Sequence, residues 1–148
     1  MGASDLQQDL RAAAGQCLAL KVRQASRVLT AHYDEALRPH GLKASQLHLL
    51  VMVGALGGAR PAELCRRLDL EKSSLSRGAE RLEAGGWLER RRPARGRGLR
   101  YHLSRTGRRR LERALADWRA ADARARRRLG RAGVQALESL LGELAPGA

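Results

Sequence analysis

Two short helical segments joined by a tight turn constrain the fold of this chain more than any other feature. The first segment, AELCRRL, follows Pro61, a residue suited to the first turn of a helix. A DLEK connection leads into the second segment, predicted from about Lys72 to Ala84 and ended by Gly85 and Gly86. Apolar residues recur at helical spacing in both segments: Leu64, Cys65, Leu68, Leu75, Ala79 and Leu82. The pattern predicts a helix-turn-helix.

The periodicity changes after this pair of helices. The stretches WLERRR and LRYHLS bracket PARGRG, and apolar residues alternate with polar ones at period two from Leu99 to Leu103. Alternation of this kind, with a Pro- and Gly-containing connection, predicts a β-hairpin with an Arg-rich tip. A helix-turn-helix followed by a hairpin is the arrangement of a winged helix-turn-helix.

Helical patterns flank this central part on both sides. One long helix is predicted over residues 6–38, ended by Pro39, His40 and Gly41, and a buried second helix over about Ala44–Leu56. Ser104 is predicted to cap a helix that runs to Gly130, and a final apolar stripe runs Val134, Leu137, Leu140, Leu141 and Leu144. The inner face of the helix after Ser104 is predicted to be Leu111, Leu115, Trp118, Ala125 and Leu129.

The predicted fold class is therefore mainly α, as one domain over residues 1–148. A DNA-binding lobe is predicted over 44–103, and dimerisation helices over 6–38 and 104–145. The first helix is much longer than the usual 11 or 12 residues or so and carries two apolar stripes, so it is expected to pack on a partner chain.

The charge of the chain narrows its class. It has 29 Lys and Arg against 15 Asp and Glu, a net charge of +14. Such a surplus of positive charge is typical of a protein that binds nucleic acid or an anionic membrane, and it can also serve solubility alone. Binding to nucleic acid is favoured. No apolar run reaches the length of a membrane span and no signal-peptide core is present, so a cytoplasmic protein without a membrane partner is predicted.

Enzymatic chemistry finds little support in the sequence. Paired carboxylates, triad spacing and a phosphate-binding loop are not recognisable, and the glycines of GRGLR lie in the predicted wing. Cys17 and Cys65 lack metal-type spacing, and His32, His40, His48 and His102 form no HxxxH arrangement. No catalytic residue, metal site or cofactor is predicted.

The front of the second short helix is the candidate DNA-reading surface. Small serine hydroxyls allow a helix N-terminus to approach phosphates, and an arginine there can make a bidentate contact to guanine. Arginines at a wing tip suit the adjacent minor groove. The predicted DNA-binding residues are Lys72, Ser73, Ser74, Ser76, Arg77, Arg81, Arg95 and Arg97. The competing interpretation is that the serines are plain helix caps and the arginines a solvated face.

A run of arginines continues from the wing into the next helix. Ten arginines lie from Arg90 to Arg110 and no acid interrupts them, which favours contact with a phosphate backbone over a surface that satisfies its own charges.

The chain resembles the MarR family of transcriptional regulators over roughly Cys17 to Leu144. AELCRRLDLEKSSLSRGAERLEAGGWLERR is similar to the family's helix-turn-helix core, and YHLSRTGRRRLERAL to its strand-to-helix junction. LTAHYDEALRPHGLKASQLHLL is similar to its first two helices.

The resemblance implies a homodimer whose terminal helices interlock and whose wings straddle a pseudo-palindromic operator in double-stranded DNA. Its recognition-helix contacts map onto Ser73, Ser74, Ser76 and Arg77. The family's wing carries Asp-x-Arg; the Arg matches Arg97, but the Asp position holds Arg95, which implies a looser, more electrostatic wing contact. Lys43 stands where a capping Thr is common, so a cap is expected to be missing.

The resemblance also implies a signal, commonly a small aromatic carboxylate bound between the dimer helices and the DNA lobe. Position suggests Cys17, Lys21, Tyr33 and His48 as effector-binding residues; the alternative is that they are ordinary helix residues. One branch of the family senses organic hydroperoxides through a first-helix cysteine followed by Ser-Arg seven residues later, whereas here Cys17 precedes Ser26 by nine.

The predicted function is that of a homodimeric repressor released from its operator by a small aromatic or anionic effector. The alternatives are a cysteine-based redox-sensing regulator and a nonspecific architectural nucleic-acid-binding protein.

Overall fold

A computed structural model describes residues 3–92 and 98–144. Six α-helices and one two-stranded antiparallel sheet make up these ranges, with a short 3-10 turn at Arg38–His40 between the second and third helices. In chain order the elements are α1 (Ala3–Gln16), α2 (Leu18–Leu37), α3 (Ala44–Ala55), α4 (Pro61–Leu68), α5 (Lys72–Ala84), β1 (Leu88–Arg91), β2 (Arg100–Leu103) and α6 (Arg105–Leu144). The mainly α fold with a helix-turn-helix and a hairpin wing is confirmed.

The prediction of one unbroken helix over 6–38 is wrong. Cys17 adopts an extended ψ of 111° between α1 and α2, although its amide still donates to Ala13 O at 3.0 Å and its carbonyl accepts from Lys21 N at 3.1 Å. Gly15, two residues earlier, lowers the helix propensity of this stretch. No atom lies within 4 Å of the point where a Cβ would stand, so no neighbouring residue packs there. Helical periodicity is present on both sides of Cys17, so it concealed the break.

The long C-terminal helix is broken where the sequence predicts. Gly130 has φ 69° and ψ 172°, a conformation outside the helical region that separates two helical halves of α6. In the first half Leu111 and Ala125 are buried and Leu115 and Trp118 partly buried. Leu129 is 43% exposed, so it does not belong to the inner face of the isolated chain as predicted.

The core is built around α3 and joins the helix-turn-helix and the hairpin to α6. Leu47, Leu50 and Val53 of α3 are each at most 1% exposed. They share one apolar cluster with Leu64 of α4 and Leu111 of α6, which confirms that α3 is central. The lobe is thereby held rigidly against the first half of α6.

The start of α3 is capped without its N-cap side chain, as Lys43 led us to expect. Two other residues replace that cap: Gln46 Oε1 accepts from Lys43 N at 2.9 Å, and Asp34 Oδ1 of α2 accepts from Ala44 N at 2.7 Å. The second bond also fixes the angle between α2 and α3.

The sheet pairs β1 with β2 in the register Leu88–Leu103 to Arg91–Arg100. Ala59, in the connection before α4, pairs with Tyr101 through two backbone bonds, Ala59 N to Tyr101 O at 3.0 Å and Tyr101 N to Ala59 O at 2.9 Å. The sequence did not predict this bridge, which joins β2 to the start of the helix-turn-helix.

Candidate nucleic-acid interface

The turn between α4 and α5 sets the direction of the recognition helix. Asp69 ends α4 in the left-handed conformation with φ 50°, and Leu70 N donates to Cys65 O at 2.9 Å. Asp and Asn are among the non-glycine residues that tolerate this conformation best. The chain therefore reverses within three residues and presents α5 beside α4.

Helix α5 has one face in the core and one in solvent. Leu75, Ala79 and Leu82 are each at most 2% exposed. At about 100° per residue, the opposite side of the helix carries four residues that are all exposed: Ser73, Ser74, Arg77 and Arg81. A well-packed underside and an exposed polar front are what a groove-binding helix requires.

Several groups on this front have partners within the helix. Arg77 Nη2 donates to Ser74 Oγ at 3.4 Å, and Ser76 Oγ donates to Glu80 Oε1 at 3.0 Å. Ser76 is half-buried, to one side of the front. Lys72 and Arg81 are exposed and make no ion pair with any described residue. These two cations and Arg77 are therefore available to an anion.

The wing is anchored to α5 through its first strand. Arg90 Nε lies 2.7 Å from both carboxylate oxygens of Glu83, and its guanidinium lies 5.8 Å from the ring centroid of Tyr101. The carboxylate of Glu83, by hydrogen bond and charge, raises the pKa of Arg90 above its usual value. Glu83 and Arg90 thus orient the hairpin relative to the recognition helix. Arg95 and Arg97, predicted for its tip, lie outside the described residues.

The arginine run is less free than the sequence indicated. Besides Arg90, Arg91 pairs with Glu89, and Arg100 Nη1 donates to Gly58 O at 3.3 Å. Arg110 donates to Gly85 O at 2.9 Å and stacks on Trp87. Four of the ten arginines therefore have partners within the chain, and phosphate contact by the run as a whole stays a prediction.

Ser104 caps α6 as predicted and also bonds to the glycine turn after α5. Its Oγ accepts from Gly107 N at 2.8 Å and donates to Gly86 O at 2.6 Å. One hydroxyl therefore caps α6 and also holds the glycine turn that follows α5.

The four predicted effector residues are spread along α2 and α3. Cys17 and Lys21 are exposed at the start of α2, and no hydrogen bond among the described residues joins any two of the four. His48 has much of its side chain in solvent, and partial desolvation lowers its pKa below 6.5. An open cleft of about 530 Å³ lies between α2 and α3; its lining includes Asp34, Glu35, Arg38 and Lys43 but none of the four predicted residues.

Tyr33 is engaged with α6. Its hydroxyl donates to Asp122 Oδ1 at 2.7 Å, and Arg126 Nε donates to Asp122 Oδ2 at 2.8 Å. Burial and the bond to Asp122 raise the pKa of Tyr33 to about 12. Burial pushes the pKa of Asp122 upward, but the bonds from Tyr33 and Arg126 outweigh it and lower that pKa overall.

The histidines of α2 and its following turn also bind α6. His32 Nε2 lies 3.0 Å from Ala121 O, and His40 Nε2 lies 2.6 Å from Asp117 Oδ2. Within residues 3–92 and 98–144, no group of three or more His, Cys, Asp or Glu side chains is placed to hold a metal ion. In the same ranges no helix has both the length and the apolar character to cross a bilayer.

Sequence comparison connects the chain to known regulators. The sequence profile of the MarR family matches residues 40–98. A curated relative, an uncharacterised HTH-type transcriptional regulator, YwoH, from Bacillus subtilis, is 31% identical over 71 residues, which cover 48% of this chain and 52% of the relative. The match therefore spans about half the length of that relative.

Solved structures extend the likeness to most of the chain. The Mycobacterium tuberculosis transcriptional regulator MosR, in complex with DNA, is 30% identical with a TM-score of 0.75, over 88% of this chain and 96% of that one. A MarR-family protein from the same organism, in complex with salicylic acid, is 29% identical with a TM-score of 0.64, over 86% and 96%.

Proposed function

The chain belongs to the MarR family, and we propose that it is a sequence-specific DNA-binding transcriptional regulator acting as a homodimeric repressor. The observation that carries this proposal is the exposed front of α5, where Ser73, Ser74, Arg77 and Arg81 stand above a buried underside. The MosR relative of similar fold is bound to DNA, which supports the same partner here.

In the proposed complex the N-terminal half of α5 enters the major groove. The helix N-terminus, with Lys72, Ser73 and Ser74, contacts phosphates, and Arg77 reads a guanine edge. Ser76 contributes on the flank once its hydroxyl leaves Glu80. Arg81 lies one turn on, near the backbone. Arg95 and Arg97 are proposed to contact the neighbouring minor groove.

The homodimer is proposed from apolar surface on the terminal helices. Leu18 is 76% exposed and Val28 73% in α2, while Leu141 is 71% and Leu144 72% in the last part of α6. Exposed leucines and valines along helices of this length are characteristic of an oligomer interface. Residues 6–38 and 104–145 are accordingly proposed as dimerisation helices and 44–103 as the DNA-binding lobe.

Release by a small aromatic or anionic effector is proposed from the salicylate-bound relative. The candidate contacts are Cys17, Lys21, Tyr33 and His48, although none of them lines the cleft between α2 and α3. Salicylate is the probe. Its titration into a protein–DNA complex is expected to release DNA, and Lys21→Ala or Tyr33→Phe to raise the salicylate concentration required. Release unaltered in both variants would remove these two residues from the effector site.

The deciding experiment compares binding to the chain's own upstream DNA and to a scrambled duplex across a salt series. A specific regulator keeps a large affinity difference as salt rises, whereas a nonspecific binder loses affinity for both duplexes together. A preference that persists supports the proposal, and equal, steeply salt-dependent binding favours the architectural alternative.

Cysteine-based redox control is a second candidate, favoured by one observation. Cys17 is exposed at the break between α1 and α2, where a change in the thiol can alter the angle between the helices. Peroxide treatment would then release DNA from the wild type and from Cys65→Ser but not from Cys17→Ser. Equal release from all three would exclude Cys17 as the sensor.

A further inference from the structure

Four arginines at the start of α6 form a surface that the proposed function does not use. Arg105, Arg108, Arg109 and Arg113, here called the arginine stripe, are all exposed. None makes an ion pair with a described residue, in contrast to Arg90 and Arg91 of the same run. Glu112 is the one acid between Ser104 and Asp117 in the sequence, so the net charge of the stripe is strongly positive.

Helical geometry places these side chains on one side of α6. Arg105, Arg109 and Arg113 follow one another at intervals of four, about 6 Å and 40° apart, with Arg108 on the flank. The core residues Leu111 and Ala114 point to the other side. The stripe therefore extends for about 12 Å along the helix axis and faces solvent.

The stripe lies at the opposite end of α5 from the proposed DNA-reading front. Ser104 and Arg110 bond to the carbonyls of Gly86 and Gly85, which follow the C-terminus of α5. Ser73 is near the N-terminus of the same helix, and twelve residues of helix measure about 18 Å. A major groove that receives the N-terminal half of α5 is therefore separated from the stripe along the helix axis.

The position of these charges is unfavourable for the isolated helix. The first turn of α6 contains no acid, and Arg105 and Arg108 stand where the helix macrodipole is positive. A cation there is unfavourable, because the positive end of the helix dipole favours an anion. Arginines placed against this preference, with no compensating contact, are expected at functional surfaces.

The chemistry of the stripe favours a nucleic acid over a protein as its occupant. Stable protein interfaces need apolar or aromatic anchors at their centre. Between Arg105 and Arg113, all of which the structure describes, no large hydrophobic side chain is exposed. A phosphate backbone, in contrast, needs only regularly spaced cations, and arginine binds phosphate bidentately.

We propose that the arginine stripe binds the phosphate backbone of a second DNA segment, so that one molecule joins two duplexes. Three arginines that neutralise three phosphates predict a salt slope of about −2.7 in log affinity against log salt concentration for this second site. The contact carries no base specificity, because it involves phosphates alone.

A capture experiment tests the proposal. A biotinylated 30-base-pair duplex from the upstream region is immobilised and loaded with protein, and capture of a fluorescent random duplex is then measured from low to high salt. Two variants each remove three positive charges: the stripe variant Arg105→Ala/Arg109→Ala/Arg113→Ala and the recognition variant Lys72→Ala/Arg77→Ala/Arg81→Ala. Circular dichroism and thermal unfolding check that both fold.

The stripe variant is expected to load on the immobilised duplex within twofold of wild type but to capture the second duplex at least tenfold more weakly. The recognition variant is expected to load more weakly and to lose preference for upstream DNA, while its capture per loaded protein stays within twofold of wild type. A triple Arg→Lys variant of the stripe should retain most of the capture, because charge is conserved.

The inference is overturned if the stripe variant captures as much second duplex as the wild type, or if the wild type captures none. An equal loss of loading and capture in the stripe variant also overturns it, since the arginines would then belong to the first DNA contact. If upstream DNA is not preferred but capture still depends on the stripe, the proposed function fails and the second site stands.

Discussion

Arg110 stacks on Trp87, with its guanidinium carbon 3.9 Å from the ring centroid. The same side chain donates through Nη1 to the carbonyl of Gly85 at 2.9 Å, directly after α5. Trp87 is 4% exposed and belongs to the core. Arg110 therefore connects the end of the recognition helix, the first residue after its glycine turn, and α6.

Arg110→Ala is expected to lower the free energy of unfolding by about 1–3 kcal/mol. Roughly 0.5–2 kcal/mol comes from the cation–π contact and about 1 kcal/mol from the hydrogen bond. Urea unfolding at one fixed protomer concentration measures the change, because the proposed dimerisation would make stability depend on concentration.

The neighbouring exposed residue supplies the control for Arg110. Arg109→Ala removes the same charge one residue away and should change stability by less than about 0.5 kcal/mol. Equal effects of the two substitutions would show that Arg110 acts through charge alone and not through its contact with Trp87.

Gly107 allows the closest backbone approach in the junction. A Cβ at this position would collide with the carbonyl oxygen of Trp87, which is backbone and cannot rotate away. Gly107→Ala must therefore move α6 relative to the wing, and we expect a loss of at least about 3 kcal/mol in the free energy of unfolding. The loss of thermal stability can be followed by circular dichroism.

Gly78 is the matched glycine control, since it also lies in a helix. Its Cβ position is 3.8 Å from Leu49 Cδ2, an ordinary van der Waals contact, and it does not have a positive φ. Gly78→Ala should raise the free energy of unfolding by about 0.5–1 kcal/mol through helix propensity. Destabilisation by both substitutions would contradict the steric explanation for Gly107.

Much of the fold could be predicted because local signals agreed with it. Lys72–Ala84 and its buried Leu75, Ala79 and Leu82 follow from periodicity and from the glycine pair that ends the helix. The break at Cys17 was not predicted, because helical periodicity is present on both sides of it and no proline marks it. Pairing of Ala59 with Tyr101 is a long-range backbone contact without a sequence signature.

The exposed front of the candidate site could be predicted from the sequence, but the contacts that position it could not. Serines and an arginine at a helix start carry a recognisable pattern, whereas Glu83 and Trp87 acquire their roles only when Arg90 and Arg110 fold against them. Backbone carbonyls and an aromatic ring hold Arg100 and Arg110, and a count of charges does not show such partners, so the run appeared freer than it is.

Tyr33 provides a pH-dependent test of the α2–α6 contact. Its pKa is raised to about 12 from 10.0, so the folded state favours the neutral phenol. The contribution to stability is therefore complete below pH 10 and is lost as the pH rises from about 10 to 12. Tyr33→Phe should cost about 1–2 kcal/mol at pH 7, because a hydrogen bond to a carboxylate is lost.

The phenol titration can be observed directly by absorbance at about 295 nm. The chain has two tyrosines, and burial also raises the pKa of Tyr101, so little tyrosinate should form in the folded protein at pH 10. Tyr33→Phe should remove the component near pH 12 and leave that of Tyr101. Ordinary titration of Tyr33 near pH 10 in the folded wild type would contradict the bond to Asp122.

Arg77 distinguishes base recognition from phosphate contact on α5. Its guanidinium is exposed, has no carboxylate partner among the described residues, and is restrained only by a 3.4 Å bond to Ser74 Oγ. Arg77→Ala is expected to weaken binding to the preferred DNA by about 1–3 kcal/mol and to relax preference at one base pair in each half-site. Binding to a library of single-base operator variants measures both effects.

Arg77→Lys separates geometry from charge in the same assay. Lysine keeps the positive charge but lacks the planar fork that contacts two guanine acceptors at once, so base preference should fall more than overall affinity. Arg81→Ala is the control one turn away, and it should weaken all sequences about equally and reduce the salt slope by about 1. If Arg77→Ala instead weakened every sequence to the same extent, Arg77 would be a phosphate contact, and base recognition would have to come from the serines or the wing.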